Sequence, residues 1–177
     1  MLTGMEDAED RWDPLESLGP TGATVARNIK RLRKARGLAY TDLSARLAGL
    51  DRRIPTLGLR KIESGGRRVD VDDLVALAAA LNVSPATLML PASSDETAEV
   101  SLTASIPRAA EDVWDWLTAA KPLTDAESPI SEGDQWVVFI HDAWPIWRVR
   151  QVYSTTFEEM QQRPHGRPAR RGDHGDD

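Results

Sequence analysis

The stretch Leu59-Arg60-Lys61-Ile62-Glu63-Ser64-Gly65-Gly66-Arg67-Arg68 decides the fold of this 177-residue chain. Leu59 and Ile62 stand three apart, the spacing of a buried helix face, and Arg60 and Lys61 fall between them on the polar side. A glycine pair ends that helix and an arginine pair follows it. Upstream, Thr24 can cap a helix running to about Arg36, with Val25, Ile29 and Leu32 inward; Gly37 suits a left-handed helix end. Thr41 can cap a second helix, with Asp42 in its first turn and Leu43, Leu47 and Leu50 inward. Residues 48–55 form a connection punctuated by Gly49 and Pro55, so the third helix begins near Pro55 or Thr56. Downstream, Asp70 caps a fourth helix whose apolar face is Leu74, Leu77, Ala78 and Leu81. Ser84-Pro85 opens a short fifth helix, closed by Leu88 and Met89. The pattern predicts an all-α domain of four to five helices over residues 21–91.

The flanks read differently. Residues 1–20 carry six acids and one arginine with no sustained apolar stripe, as a flexible acidic arm would. Residues 92–97 are a polar linker. Val100, Leu102, Ala104 and Ile106 alternate like a strand, and residues 111–120 read as a helix with Val113, Trp114 and Leu117 inward. Residues 122–133 read as a loop, and 135–141 and 146–153 as two further strands. Residues 98–160 are thus expected to form a small α+β region, rich in tryptophan, which supplies anchors for a core or an interface. Residues 161–177 read as a disordered tail.

The net charge of −6 conceals a strong segregation. Residues 21–69 carry thirteen Lys/Arg against Asp42, Asp51 and Glu63, whereas residues 92–162 carry four basic and thirteen acidic side chains. A basic island between acidic flanks is the pattern of a nucleic-acid-binding module. The absence of cysteine excludes disulfides and thiolate metal sites, and two of the three histidines lie in the tail. No cofactor is expected. No apolar run approaches the ~20 residues of a membrane span, and the acidic start is unlike a secretory signal. The chain reads as a soluble cytoplasmic protein. No Ser-His-Asp set, metal-ligand spacing or phosphate loop is present, and the single lysine of the C-terminal region, Lys121, argues against a self-cleaving Ser/Lys domain. The expectation is a protein that is not an enzyme.

Residues 22–91 resemble the XRE-type, lambda-repressor-like helix-turn-helix regulators. The resemblance is carried by Ile29-Lys30-Arg31-Leu32-Arg33, Gly37-Leu38, Leu43-Ser44, Ile62-Glu63-Ser64-Gly65, the run from Leu74 to Leu81, and Val83-Ser84. It implies that the third helix enters the major groove of double-stranded DNA while the second crosses the backbone. Thr56, Leu57 and Lys61 match the base-facing positions; Arg60 can reach base or phosphate, and Leu57 can meet a thymine methyl or pack inward. Arg67 and Arg68 follow the helix as phosphate contacts, and Arg52 and Arg53 stand in the connection before it. Glu63 is expected to pair with an arginine inside the domain, Arg33 being the candidate. Three departures stand out. Tyr40, with Thr41 beside it in the DNA-facing set, occupies a position where the family commonly has Gln. The connection before the third helix is longer by about five residues, and that helix opens Thr56-Leu57-Gly58.

The resemblance implies a transcription regulator, a repressor of the phage-immunity or bacterial type, binding DNA as a homodimer. The alternative is an antitoxin-like or adaptor protein that binds a protein partner through residues 98–160.

Overall fold

A computed structural model of the chain describes residues 14–93, 95–102, 107–123 and 131–152. The disordered-tail reading, most of the acidic-arm reading and Ala104 and Ile106 lie outside these residues. Two compact units are present, divided after Leu123.

The first unit opens with a 3-10 turn, Glu16–Leu18, followed by α1 (Pro20–Ala35), α2 (Tyr40–Ala48), α3 (Thr56–Glu63), α4 (Val71–Ala80) and α5 (Pro85–Met89). The entry into α1 corrects the expected cap. Gly19 turns the chain at φ 78°, and Pro20, with φ preset for a helix, takes the first position. Thr24 therefore lies inside the helix and is buried. At the other end Gly37 adopts φ 62°, with Gly37 N–H donating to Lys34 O at 3.0 Å and Leu38 N–H to Arg33 O at 3.1 Å. That is a Schellman closure. Among α2 to α5, two helices close the same way without glycine: α2 with Asp51 (φ 56°) and α4 with Asn82 (φ 50°). Leu50, expected inward, rides on the first of these turns and is exposed.

The α2 cap sits two residues earlier than Thr41, at Ala39, whose backbone N–H donates to Asp42 Oδ2 at 2.8 Å. The α4 cap is the expected one, Asp70 Oδ1 accepting from Asp73 N–H at 2.7 Å. Ser84 caps α5 with Pro85 behind it. The apolar faces predicted by spacing meet in one core. Ile29, Leu43, Leu47, Leu59, Ile62, Leu77, Leu81 and Leu88 are fully enclosed, and Ile54 joins them from the connection. Each such side chain contributes roughly 1.5–3 kcal/mol. The core is what fixes the angle of α3.

After α5, β1 (Glu99–Val100) pairs antiparallel with β2 (Arg108–Ala109), Glu99 opposite Ala109 and Val100 opposite Arg108. Then comes α6 (Ala110–Leu117). Val100, Leu102, Ala110 and Val113 make a second small cluster, flanked by Leu90 and Leu117. Trp114, expected inward, is exposed.

The second unit corrects the two expected strands. Residues 135–141 lie in α7 (Glu132–Ala143), and residues 146–152 are helical. The β-branched run Val137-Val138 favours a strand on propensity alone. It is overridden by a cap: Ser131 Oγ accepts from Asp134 N–H at 3.3 Å, with Glu132 and Asp134 in the first turn. Trp144 breaks the helical run. It is extended (ψ 145°), as a residue before proline is forced to be, and Pro145 restarts the helix by accepting from Arg148 N–H at 2.8 Å. The Trp144 ring packs edge-on to Trp136, centroids 6.4 Å apart, under the Arg148 guanidinium at 4.6 Å.

Candidate nucleic-acid interface

The exposed face of α3 follows from its register. Leu59, Ile62 and Glu63 are buried. Thr56, Leu57, Arg60 and Lys61 recur at the complementary spacing, one turn apart in pairs, and so share the opposite face. Arg60 and Lys61 are exposed, and Thr56 is partly so. Leu57, for which core burial was the competing expectation, is 62% exposed. Leu57 thus stands on the same outer face as Arg60 and Lys61.

Behind this face lies a buried ion pair. Arg33 Nε donates to Glu63 Oε1 at 2.6 Å and Arg33 Nη2 to Glu63 Oε2 at 2.8 Å, a two-pronged pairing of α1 with the end of α3. Both side chains are buried. Arg33 Nη1 also donates to Leu38 O at 2.9 Å, which ties the α1 terminus into the same network. The partner expected for Glu63 is thus the observed one. The hydrogen bond to Glu63 is the chief reason the Arg33 guanidinium is held above its ordinary pKa.

Tyr40 completes the arrangement. Its hydroxyl donates to Glu63 Oε2 at 2.9 Å, so this member of the expected DNA-facing set is engaged inside the domain. Its ring meets two guanidinium groups, Arg33 at 4.0 Å and Arg60 at 4.9 Å from the centroid. Tyr40 is the residue through which the buried pair and the exposed face are coupled: it stacks on Arg60 and limits where that side chain points. Burial first, and the bond to Glu63 second, push the Tyr40 hydroxyl above its ordinary pKa. Thr41, next to it in the first turn of α2, is exposed.

The flanking arginines divide into two kinds. Arg52 is committed inward. Its Nε donates to Asp73 Oδ1 at 2.7 Å and its Nη2 to Asp70 Oδ2 at 2.7 Å. The bond to Asp73 is the main cause of its raised pKa. Arg67 Nη2 takes the second oxygen of Asp73 at 2.6 Å. Asp73 is therefore a fully buried carboxylate shared by two arginines, one before α3 and one after it. Arg67 was expected to reach phosphate and Arg52 to face the DNA, and both pair with this hub instead. Arg68 is exposed and donates to Ser17 O at 3.1 Å. Arg53 is exposed and carries no ion pair among the described residues.

The hub is not visible in the sequence, where Asp70 reads as a helix cap and Asp73 as part of the first turn behind it. Asp70 keeps that role, and the amide of Asp73 is what chiefly lowers its pKa. The hub also explains the two departures near α3. The lengthened connection is fastened at Arg52, and Gly58 leaves room for Arg67: a side-chain carbon there would come within 3.1 Å of Arg67 Nη1.

Residues 29–88, from the middle of α1 to α5, match the helix-turn-helix family model. This segment resembles the XRE-type, lambda-repressor-like regulators, a DNA-binding class. No curated protein matches the chain, and no solved structure matches it. Among the described residues no helix is long and apolar enough to cross a membrane.

Proposed function

We propose that the chain is a sequence-specific DNA-binding transcription regulator that acts as a repressor, in the manner of the phage-immunity and bacterial repressors. The observation that carries the reading is the exposed face of α3. Thr56, Leu57, Arg60 and Lys61 stand together on a helix of the matched segment, oriented from behind by Arg33, Glu63 and Tyr40. Lys61 and Arg60 offer donors to guanine edges or phosphate, and Leu57 an apolar contact for a thymine methyl. Thr41, Arg53 and Arg68 flank the face and serve the backbone. Arg52 and Arg67 contribute to the positive field while holding the turns that frame α3. The DNA-binding domain is residues 21–91, and the protein works in the cytoplasm.

Selection of binding sites from random duplexes by the purified chain tests this. A consensus should emerge, and Lys61→Ala should weaken it by roughly 1–3 kcal/mol while relaxing one position. Failure to enrich any sequence at about 50 mM salt, where electrostatic affinity is strongest, removes the reading.

A second reading, of a protein partner, draws on the second unit, where Trp136, Val138, Ile146 and Trp147 are between 37% and 61% exposed. Such side chains suit an interface, either with a second copy, which would present two recognition helices to two half-sites, or with an antitoxin-type partner. Sedimentation of the full chain and of residues 1–91 separates these. Loss of dimer in the shorter chain assigns dimerisation to residues 98–160. Monomers in both cases leave that region to another protein.

A further inference from the structure

The inward face of α1 is not uniform. Ile29 and Leu32 fill the core in its later turns, but Gly22, Val25 and Ala26 present only small side chains in its earlier ones. Gly22 is kept small by its neighbour: a side-chain carbon there would stand 3.0 Å from Leu18 Cβ. The space left over is a recess of about 200 Å³, walled by Leu18, Val25, Val69, Leu74 and Met89. Leu18, Val69, Leu74 and Met89 are only half-buried. Close packing leaves few such voids, and an apolar cavity of roughly 150 Å³ already takes a benzene ring.

The walls are tied together. Gly65, which ends α3 at φ 80°, is buried beneath Pro14 and Leu15: a side-chain carbon there would stand 2.7 Å from Leu15 N and from Pro14 C. Ser17 Oγ donates to Pro14 O at 2.7 Å, and Arg68 Nη2 donates to Ser17 O at 3.1 Å. The turn that carries Leu18 is thereby seated on the loop that carries Val69. Charge at the recess has one sign. Arg67 is matched by Asp73. Arg68 donates to a neutral carbonyl and pairs with no carboxylate among the described residues. It is also the exposed residue of the lining, so this cation stands where the apolar recess meets solvent. An apolar hollow with such a cation at its rim is complementary to a molecule with an apolar body and one anionic end.

We propose that this recess is an effector site for a small apolar carboxylate, an aromatic or branched aliphatic acid whose body lies against Val25, Leu74 and Met89 and whose carboxylate pairs with Arg68. The site stands on the cavity and its charge; its regulatory effect rests on the DNA-binding reading. Arg68 is assigned there to the DNA backbone, so a carboxylate on it removes a contact from the duplex, and the ligand lowers DNA affinity. Duplex lowers ligand affinity by the same factor.

The test uses the full chain with phenylacetate and isovalerate as probes, phenylacetamide as the uncharged counterpart, and acetate, which lacks the apolar body. Binding is read without DNA from the methyl resonances of Val25, Val69, Leu74 and Met89. At least one of the two acids should shift them saturably; phenylacetamide and acetate should bind about tenfold more weakly than that acid. Arg68→Gln should bring phenylacetate down to the level of its amide. Val69→Phe, which fills the recess, should abolish the shifts with circular dichroism unchanged; if it unfolds the chain, the probe comparison on the unchanged chain decides. Saturating acid should weaken binding of a mixed-sequence duplex, read by fluorescence anisotropy, about fivefold. No saturable shift with either acid at about 10 mM overturns the site. Equal binding of phenylacetate and its amide makes the recess a neutral apolar cavity and overturns the proposal. Ligand binding with unchanged duplex affinity overturns the effector role. If the chain binds no duplex at low salt, the DNA-binding reading falls, while the methyl shifts still decide the site.

Discussion

Tyr40 shares its proton with a buried carboxylate, and that has a pH signature. Its pKa is raised by burial and by the bond to Glu63. A group whose folded pKa exceeds its unfolded one stabilises fully below the unfolded value, near 10, and loses that contribution as pH rises through the folded value. Urea midpoints taken between about pH 9 and 11 should therefore fall for the unchanged chain and fall less for Tyr40→Phe. Glu63→Ala tests the other side of the network. It leaves the buried Arg33 guanidinium without its carboxylate, a loss of roughly 3–5 kcal/mol, which urea denaturation would show as a large drop in midpoint. The pairing of Glu63 with Arg33 was anticipated through the family resemblance, not through local spacing, which puts Arg33 among the surface cations of α1. The fate of the other arginines was not anticipated. Arg52 and Arg67 find Asp73 across 21 and 6 residues of chain, and nothing in local spacing distinguishes them from the free Arg53.

At the scale of elements, apolar periodicity located α1 to α5, and the caps at Asp70 and Ser84 fixed the starts of α4 and α5. Where they failed, a local preference had been weighed alone. Val137-Val138 looked like a strand, and the Ser131-to-Asp134 cap that precedes it was read as loop. Thr24 looked like a cap, although Gly19-Pro20 already supplied one. The docking of α5 on α1 was also invisible, since it turns on one amide. Asn28 Nδ2 donates to Leu88 O at 3.1 Å and to Leu90 O at 2.7 Å, while its Oδ1 accepts from Arg31. Asn28 is buried, so Asn28→Ala strands those carbonyls. We expect a loss of about 1–3 kcal/mol, measured by chemical denaturation, with α5 released first.

At the scale of the molecule, the folded unit begins before the helices that define it. A fragment of residues 22–91 removes Pro20 and the first turn of α1, and uncovers Gly65. Residues 14–91 should be the more stable fragment, with the higher thermal midpoint by circular dichroism; equal midpoints would mean that the 14–21 segment adds nothing to the fold. The hub at Asp73 has a further consequence, for motion. Its two oxygens hold Arg52 from the loop before α3 and Arg67 from the loop after it. Neither loop can swing open while the other keeps the carboxylate fully satisfied, so the two should open as one cooperative event. In native-state hydrogen exchange, protected amides of residues 50–54 and 65–69 should share a single opening free energy, and Asp73→Asn should lower it for both loops together.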